Sequence, residues 1–377
     1  MRATLADASL ARFAGRFVWL ALDFDKPGNQ NFVVSRGVPY TPTFYILDPI
    51  NEHALATQLG AMTLAELSAF LERGEREMQP KLQPAAAVAL ARGDELLARN
   101  QPADAANAYS EALRLSPPSG PEHERSAADL IFALSTSKQL QPCAETAVAE
   151  APHMTRDEEF GRVVLHGLSC VDYGEPAPWA ATARKKLEPL AVEAISLPST
   201  VRDHRFKLYQ ELMGSAKDRG DTAALNKWGD KWLAELDATS PVNDDERSAL
   251  DIARVDAASL LESPLRVLPA LMASEKAMPS NYNASLRVAQ MESDAKRYPD
   301  AIAACDRGLL HVTGPIGRAW LMQVKAEALQ KMGNKKQARQ VLQDALPVAR
   351  EIGPEQIRKN TIKRLSDALM ALDAGTS

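Results

Sequence analysis

Helix-length apolar periodicity runs from about residue 84 to the end of the 377-residue chain, and it is the feature that most restricts the fold. Strand patterns are almost absent from this stretch, and Gly, Pro and Asn interrupt it at intervals of roughly a helix pair. Helix pairs of this kind bury their apolar faces only by stacking on neighbouring pairs. We therefore expect residues 79–377 to form an all-α helical solenoid, closed by a capping helix over residues 354–372.

The clearest helix pair is predicted between Ala89 and Pro117, with a tight turn at Asn100-Gln101-Pro102. Small side chains let the two helices approach closely, an aromatic ring fills the space between them, and a proline ends the second helix. The positions predicted to make this packing are Gly93, Leu96, Ala105, Tyr109, Ala112 and Pro117.

A second pair with the same alternation of small and large residues crosses Met332-Gly333-Asn334. Its packing positions include Ala326, Ala338 and Ala345. Both pairs resemble the tetratricopeptide repeat, and the resemblance implies a right-handed superhelix whose concave face binds a protein or an extended peptide. Three tryptophans are candidates for lining that face, but interhelical core is the better interpretation for Trp228, Trp232 and Trp320.

The N-terminal segment has strand-like patterns instead. Phe17 to Phe24 is an apolar run of strand length, which predicts a strand covered on both faces. Thr43 to Leu47 is β-branched and aromatic, and His53 to Gly60 follows it after a turn at residues 48–52. An amphipathic helix should come next, with Leu64, Leu67, Phe70 and Leu71 on one face.

This order of elements resembles the part of a thioredoxin that follows its Cys-x-x-Cys helix. Thr41-Pro42-Thr43 stands where that family keeps a cis-proline, and we expect the Thr41–Pro42 bond to be cis. The resemblance implies that Thr41, Pro42 and Thr43 contact an extended substrate peptide. The predicted fold is therefore a partial α+β thioredoxin-like domain over residues 1–78, followed by tetratricopeptide-like repeats over 79–377, with helix predominant overall.

Thiol chemistry of the thioredoxin type is not encoded in this chain, because it contains no Cys-x-x-Cys. We interpret Cys143, Cys170 and Cys305 as buried structural thiols rather than as a redox pair. Neither a metal-ligand spacing, a disulfide framework nor a cofactor-binding motif is recognised, so no catalytic residue, metal or cofactor is predicted. Two explanations compete: the reading frame begins at an internal Met after the cysteines, or a degenerate remnant persists as a docking module.

The leading functional hypothesis is a protein-interaction scaffold with a thioredoxin-like remnant. The alternative is a fragment of a bacterial thiol-disulfide oxidoreductase whose Cys-x-x-Cys precedes Met1, with the repeats selecting clients. A net charge of -5 argues against a nucleic-acid partner, and no apolar run is long enough to span a membrane. The sequence as read predicts a cytoplasmic protein, whereas a truncated start would favour an extracytoplasmic one.

Overall fold

The computed structural model describes residue 5 and residues 7–23, 26–36, 41–49, 52–78, 85–118, 120–174 and 176–374. The chain divides into two compact units, Met1–Leu212 and Met213–Ser377. This division falls within a helix, far from the domain boundary predicted between residues 78 and 79. The predicted linker residues 79–84 lie outside the described part of the chain.

The first unit begins with a small α/β segment. After short 3₁₀ turns at Ala8–Phe13 and Pro27–Asn29, it contains α1 (Gln30–Arg36), β1 (Thr43–Leu47), β2 (Ala54–Leu59) and α2 (Leu64–Glu77). The two strands pair antiparallel, with Thr43 opposite Leu59. Ile46, Leu67 and Phe70 are buried in the core of this segment together with Phe13. The predictions of strands at 43–47 and 53–60 and of the amphipathic helix are confirmed.

The strand predicted over Phe17 to Phe24 is wrong for the residues that the structure describes. Residues 18–23 lack regular structure, and Phe24 lies outside the described part. Val18 and Leu20 are 88% and 78% exposed, so this apolar run is not covered. A strand needs a neighbouring edge for its backbone hydrogen bonds, and in the described part the sheet contains β1 and β2 alone.

The Thr41–Pro42 peptide bond is cis, as the sequence predicts. Pro42 stands just before β1, and its carbonyl oxygen accepts a hydrogen bond of 2.9 Å from the Gly60 backbone N–H. This bond extends the pairing of β1 with β2 by one step. Val38, Pro39 and Tyr40, which precede the proline in the predicted motif, lie outside the described residues.

Helices follow each other through the rest of the described chain. In the first unit these are α3 (Ala85–Ala98), α4 (Pro102–Leu115), α5 (Pro121–Thr136), α6 (Leu140–Glu150), α7 (Glu158–Gly174) and α8 (Pro178–Ser196). Helix α9 (Arg202–Asp218) carries the division between the units. The second unit continues with α10 (Thr222–Ala238), α11 (Asp244–Leu260), α12 (Leu268–Ala277), α13 (Tyr282–Asp294), α14 (Tyr298–His311), α15 (Pro315–Lys331), α16 (Lys335–Arg350) and α17 (Glu355–Ala374). None of these described helices is long and apolar enough to cross a membrane.

A left-handed residue recurs where one helix turns into the next. In each case the backbone N–H of the residue after it, three positions beyond the end of the helix, bonds back to a carbonyl five positions earlier, at 2.8–2.9 Å. This hydrogen bond closes a Schellman turn, which reverses the chain in a few residues and makes the two helices antiparallel neighbours. The turn residues with positive φ are Asn100, Lys138, Gly220, Glu262, Lys296 and Gly333. The turns predicted at 100–102 and 332–334 are confirmed.

Helical glycines lie where neighbouring side chains need their space. A Cβ on Gly93 would lie within 3.0 Å of the Tyr109 ring, and one on Gly317 would meet the Tyr282 ring equally closely. The Leu261 side chain occupies the space beside Gly229 in the same way. Neighbouring helices are in close contact at these glycines, within a pair at Gly93 and between successive pairs at Gly317. A tightly packed core leaves no room there for an added methyl group.

The cysteine interpretation requires a correction. Cys143 on α6 and Cys170 on α7 are fully buried, as expected, but they are bonded to each other in a disulfide with a Cα–Cα distance of 6.2 Å. Small residues explain why they meet: Gly167 on α7 packs directly against Ala147 on α6. Cys305 remains a free, buried thiol, and burial raises its pKa to about 12.

Replacing Gly93 tests the close contact inside the first helix pair. We expect Gly93→Ala to lower the free energy of unfolding by about 1–3 kcal/mol, because the added methyl group overlaps the Tyr109 ring. The matched control is Gly214→Ala on α9, which has no atom within 4 Å of the added Cβ. That change should stabilise the protein by about 0.5–1 kcal/mol, since alanine is the better helix former. Urea unfolding of both variants measures the difference, and equal effects would contradict the packing account.

Candidate functional site

The three residues predicted to bind a substrate peptide lie together at one end of the β hairpin. Thr41 is exposed, while Pro42 and Thr43 are partly buried, and Thr43 is the first residue of β1. Their backbone therefore runs along the surface into a strand of the small sheet. Peptide binding at this position stays a prediction.

The predicted packing residues lie inside the helix pairs. Tyr109 is 1% exposed and lies against Gly93, and Leu96 is partly buried on the same helix as Gly93. Pro117 follows α4 and is exposed. The remaining positions are buried in the interfaces of α3–α4 or α15–α16; they are Ala105, Ala112, Ala326, Ala338 and Ala345.

A chain of buried ionic groups, which the sequence patterns did not reveal, crosses the first unit. It begins at Asp94 on α3, whose carboxylate accepts a 2.9 Å hydrogen bond from the Tyr109 hydroxyl on α4. Arg125 on α5 donates to both oxygens of Asp94, at 2.8 and 2.7 Å. Burial raises the pKa of Asp94, and the nearby Arg125 guanidinium opposes that rise.

The chain continues from α5 to α7. Arg125 also contacts Asp129, with 3.1 Å between Nε and Oδ2. Asp129 in turn accepts hydrogen bonds of 3.2 Å from Arg162, which pairs with Glu159 one turn away at 2.8 Å. Three successive helix pairs are thereby connected by charge-assisted hydrogen bonds, which are stronger than neutral ones. Alternating acidic and basic residues spaced three or four apart on α5 and α7 were the available sequence signal.

The start of α2 in the α/β segment lies beside this chain of ionic groups and contacts α7. Thr63 and Glu66 form a capping box at the start of α2: the Glu66 N–H donates to Thr63 Oγ1 at 3.3 Å, and the Thr63 N–H donates to Glu66 Oε2 at 3.0 Å. The Thr63 hydroxyl also donates to Glu158 on α7. Burial, with the nearby Glu159 and Glu158 carboxylates, raises the pKa of Glu66 to about 8, so its carboxyl group is mostly protonated at neutral pH.

A pocket of about 450 Å³ lies within the second unit. Its wall comes from the first helix of three successive pairs, α11, α13 and α15, and from the final helix α17. Met291 is buried beneath it, while Val255, Trp320 and Val324 are partly buried in its wall. The pocket therefore spans several helix pairs, and these four apolar side chains form part of its lining.

Polar side chains make up the rest of the lining, and they include two carboxylates, Asp294 and Glu327. Gln290 and Arg364 are exposed and make no hydrogen bond or ion pair within the described residues. Gln323 donates to Glu327 at 2.9 Å. The Trp320 indole N–H is buried and has no hydrogen-bond acceptor in the described part of the chain. Amide, guanidinium and indole donors with free capacity are the groups that pair with a peptide backbone or a carboxylate.

The tryptophans divide between core and pocket. Trp228 and Trp232 are 8% and 1% exposed, so for them the prediction of interhelical core is confirmed. Trp320 instead forms part of the pocket wall. The sequence did not distinguish the three tryptophans. Whether a ring lies in the core or in the pocket wall depends on how the helices pack. No group of three or more potential metal ligands occurs among the described residues.

Comparison with known proteins gives structural neighbours only. No protein-family model and no curated protein matches the chain. A tetratricopeptide repeat protein from Parabacteroides merdae is 10% identical, with a TM-score of 0.45, over 75% of this chain and 100% of its own. The TPR2AB domain of yeast Sti1, solved in complex with pHSP90, is 13% identical, with a TM-score of 0.28, over 74% of this chain and 98% of its own. Both likenesses are too weak to assign a fold or a partner, and the repeat geometry above rests on this chain alone.

Glu66→Gln tests the buried carboxyl group. A carboxyl whose pKa is higher in the folded than in the unfolded chain holds its proton better when folded, so stability falls as pH rises from about 4.5 to about 8. We expect this fall to be smaller by about 1–3 kcal/mol in Glu66→Gln, which keeps the capping geometry without a titrating group. Urea unfolding at several pH values measures it. The exposed control Glu111→Gln on α4 should keep the wild-type pH dependence, and an unchanged profile for Glu66→Gln would be the contrary result.

Proposed function

We propose that this protein is a tetratricopeptide-type interaction scaffold that binds an extended peptide segment of a partner protein in the pocket of its second unit. The observation that carries the proposal is the composition of the pocket wall, to which α11, α13, α15 and α17 all contribute. A ligand lying across several helix pairs is the binding mode that stacked repeats favour. No activity of the chain itself is needed for this role.

The lining residues support a peptide with an apolar side chain. Met291, Val255 and Trp320 offer an apolar surface at which such a side chain would lose its contact with water. Gln290 on the rim is positioned to donate to and accept from a peptide group, since its amide carries both kinds of hydrogen-bonding atom. Arg364 would pair with a carboxylate of the peptide.

We also propose that the N-terminal segment is a thioredoxin-like remnant. Its support is the order of β1, β2 and α2 after Pro42. In this proposal Thr41, Pro42 and Thr43 contact a second extended segment, as the resemblance implies. This contact is independent of the pocket in the second unit.

A second candidate function is that of an oxidoreductase fragment, and one observation favours it. Residues 18–22 are apolar and lack regular structure, with Val18, Leu20 and Leu22 exposed, and no described backbone group bonds to them. In this proposal a strand and a Cys-x-x-Cys motif preceding Met1 would cover them, and the repeats would select clients outside the cytoplasm. Insulin reduction by a longer protein that includes the upstream codons tests it: activity absent from this chain supports the candidate, and inactivity of a folded longer protein rejects it.

Pocket substitutions test the scaffold proposal. The full chain is screened against an array of decapeptides with varied apolar and acidic positions, and the binding of each hit is measured by fluorescence anisotropy. We expect hits with an apolar residue near an acidic one, and we expect Gln290→Ala and Arg364→Ala each to weaken their binding about 2- to 12-fold, the loss of one hydrogen bond or ion pair. Both side chains are exposed and unpaired within the described residues, so folding should be unaffected.

The matched control is Lys363→Ala, one residue from Arg364 and also exposed, which does not line the pocket. It should bind the same peptides with wild-type affinity. Equal affinity of all four proteins for the hits, or no hit at all for the folded wild type, would show that the pocket is not a peptide site.

A further inference from the structure

The disulfide between Cys143 and Cys170 joins α6 to α7, two consecutive helices that belong to successive pairs. Cys143 lies near the start of α6 and Cys170 near the end of α7, so the bond lies at the opposite end from the connection between the two helices. The two cysteines are 27 residues apart in sequence. The bond therefore closes residues 143–170 into a covalent loop. Such a loop restricts the conformations of the unfolded chain and so stabilises the folded state.

Packing around the bond makes it inaccessible to solvent. Both cysteines are fully buried, as are Ala144, Ala147 and Leu168 beside them. Thiol–disulfide exchange needs a thiolate to approach one sulfur in line with the bond, and no approach exists while the two helices are packed. The remaining cysteine, Cys305, belongs to the other unit, is buried, and holds its proton because burial raises its pKa to about 12.

We propose that this protein folds in an oxidising compartment and that the Cys143–Cys170 disulfide is a permanent cross-link of its first unit. Disulfides of this structural kind persist in such compartments and are rare in the reducing cytosol. Of the two compartments that the sequence left open, a permanent disulfide favours the extracytoplasmic one for this protein. It does not depend on the peptide-binding function.

The cross-link forms by exchange with a donor disulfide, the chemical class of oxidant that such compartments provide. A thiolate of one cysteine attacks the donor and forms a mixed disulfide, and the thiolate of the second cysteine then displaces the donor sulfur. The two protein thiols lose two electrons and two protons in total, and the donor is released as a dithiol. Because the sulfurs are buried in the folded protein, exchange must precede the packing of α6 on α7.

Alkylation of the protein from its source cells tests the compartment. Cells are quenched in acid, the chain is denatured in urea with N-ethylmaleimide, and its mass is measured. We expect one adduct, on Cys305, and three adducts after prior reduction. Three adducts without reduction would overturn the proposal, because both cysteines of the pair would then be thiols in the cell.

A second measurement tests the cross-linking role on purified, oxidised full-length protein. Incubation with dithiothreitol until both sulfurs are reduced should lower the melting temperature by about 5–10 °C, the effect expected of a ring of this size. Cys143→Ala/Cys170→Ala should melt at the same temperature with and without the reductant, and Cys305→Ala should keep the wild-type response. A wild type whose melting temperature is unchanged after complete reduction would contradict a stabilising cross-link, and this result is independent of whether the double variant folds.

Discussion

Close contact between helices at glycine is the interaction on which the helical part of this protein depends. At Gly93 and Gly317 the missing side chain leaves space that a tyrosine ring of a neighbouring helix occupies. The Schellman turns bring consecutive helices side by side, and these close contacts let the helices bury their apolar faces, within a pair at Gly93 and between successive pairs at Gly317. Stacking then follows, because a single pair cannot cover its own apolar surface. The pocket walls of the second unit are a consequence, since stacking aligns the first helices of successive pairs.

The two units differ in how far buried charges connect their helices. In the first unit the apolar contacts are supplemented by a buried ionic chain from Asp94 through Arg125 to Arg162, and by the disulfide. Removing one member of a buried pair leaves its partner uncompensated in the core, which is costly, so the chain fixes which helices lie together. In the second unit the described core between α15, α16 and α17 is built from alanine, leucine and isoleucine. Buried charge is more local in this unit, where Asp251 pairs with Arg254 at 3.1 Å and accepts a 3.0 Å hydrogen bond from Ser274. At the pocket, Gln290 and Arg364 remain available to a ligand.

Local patterns predicted what depends on neighbours in sequence. The Asn100 turn, the contact of Tyr109 with Gly93, the β1–β2 hairpin and the cis bond at Pro42 all follow from residues close together in the chain. Features that depend on distant partners could not be predicted. Cys143 and Cys170 meet only because α6 and α7 pack, Arg125 on a helix suggests an exposed charge until Asp94 is placed beside it, and the apolar run at Val18 indicates a strand without showing whether a partner exists. The pocket escaped prediction for the same reason, since four separate helices build it.

Amide hydrogen exchange of the full chain, with and without a bound decapeptide, tests whether the pocket of the second unit is the peptide site. We expect slower exchange on binding in α11, α13, α15 and α17, the helices that line the pocket. Exchange should stay unchanged in α12, α14 and α16, which contribute no residue to the pocket, and around Thr41–Thr43. Slower exchange confined to the Pro42 segment or to the second helices of the pairs would contradict the claim, and would place the peptide site outside the pocket.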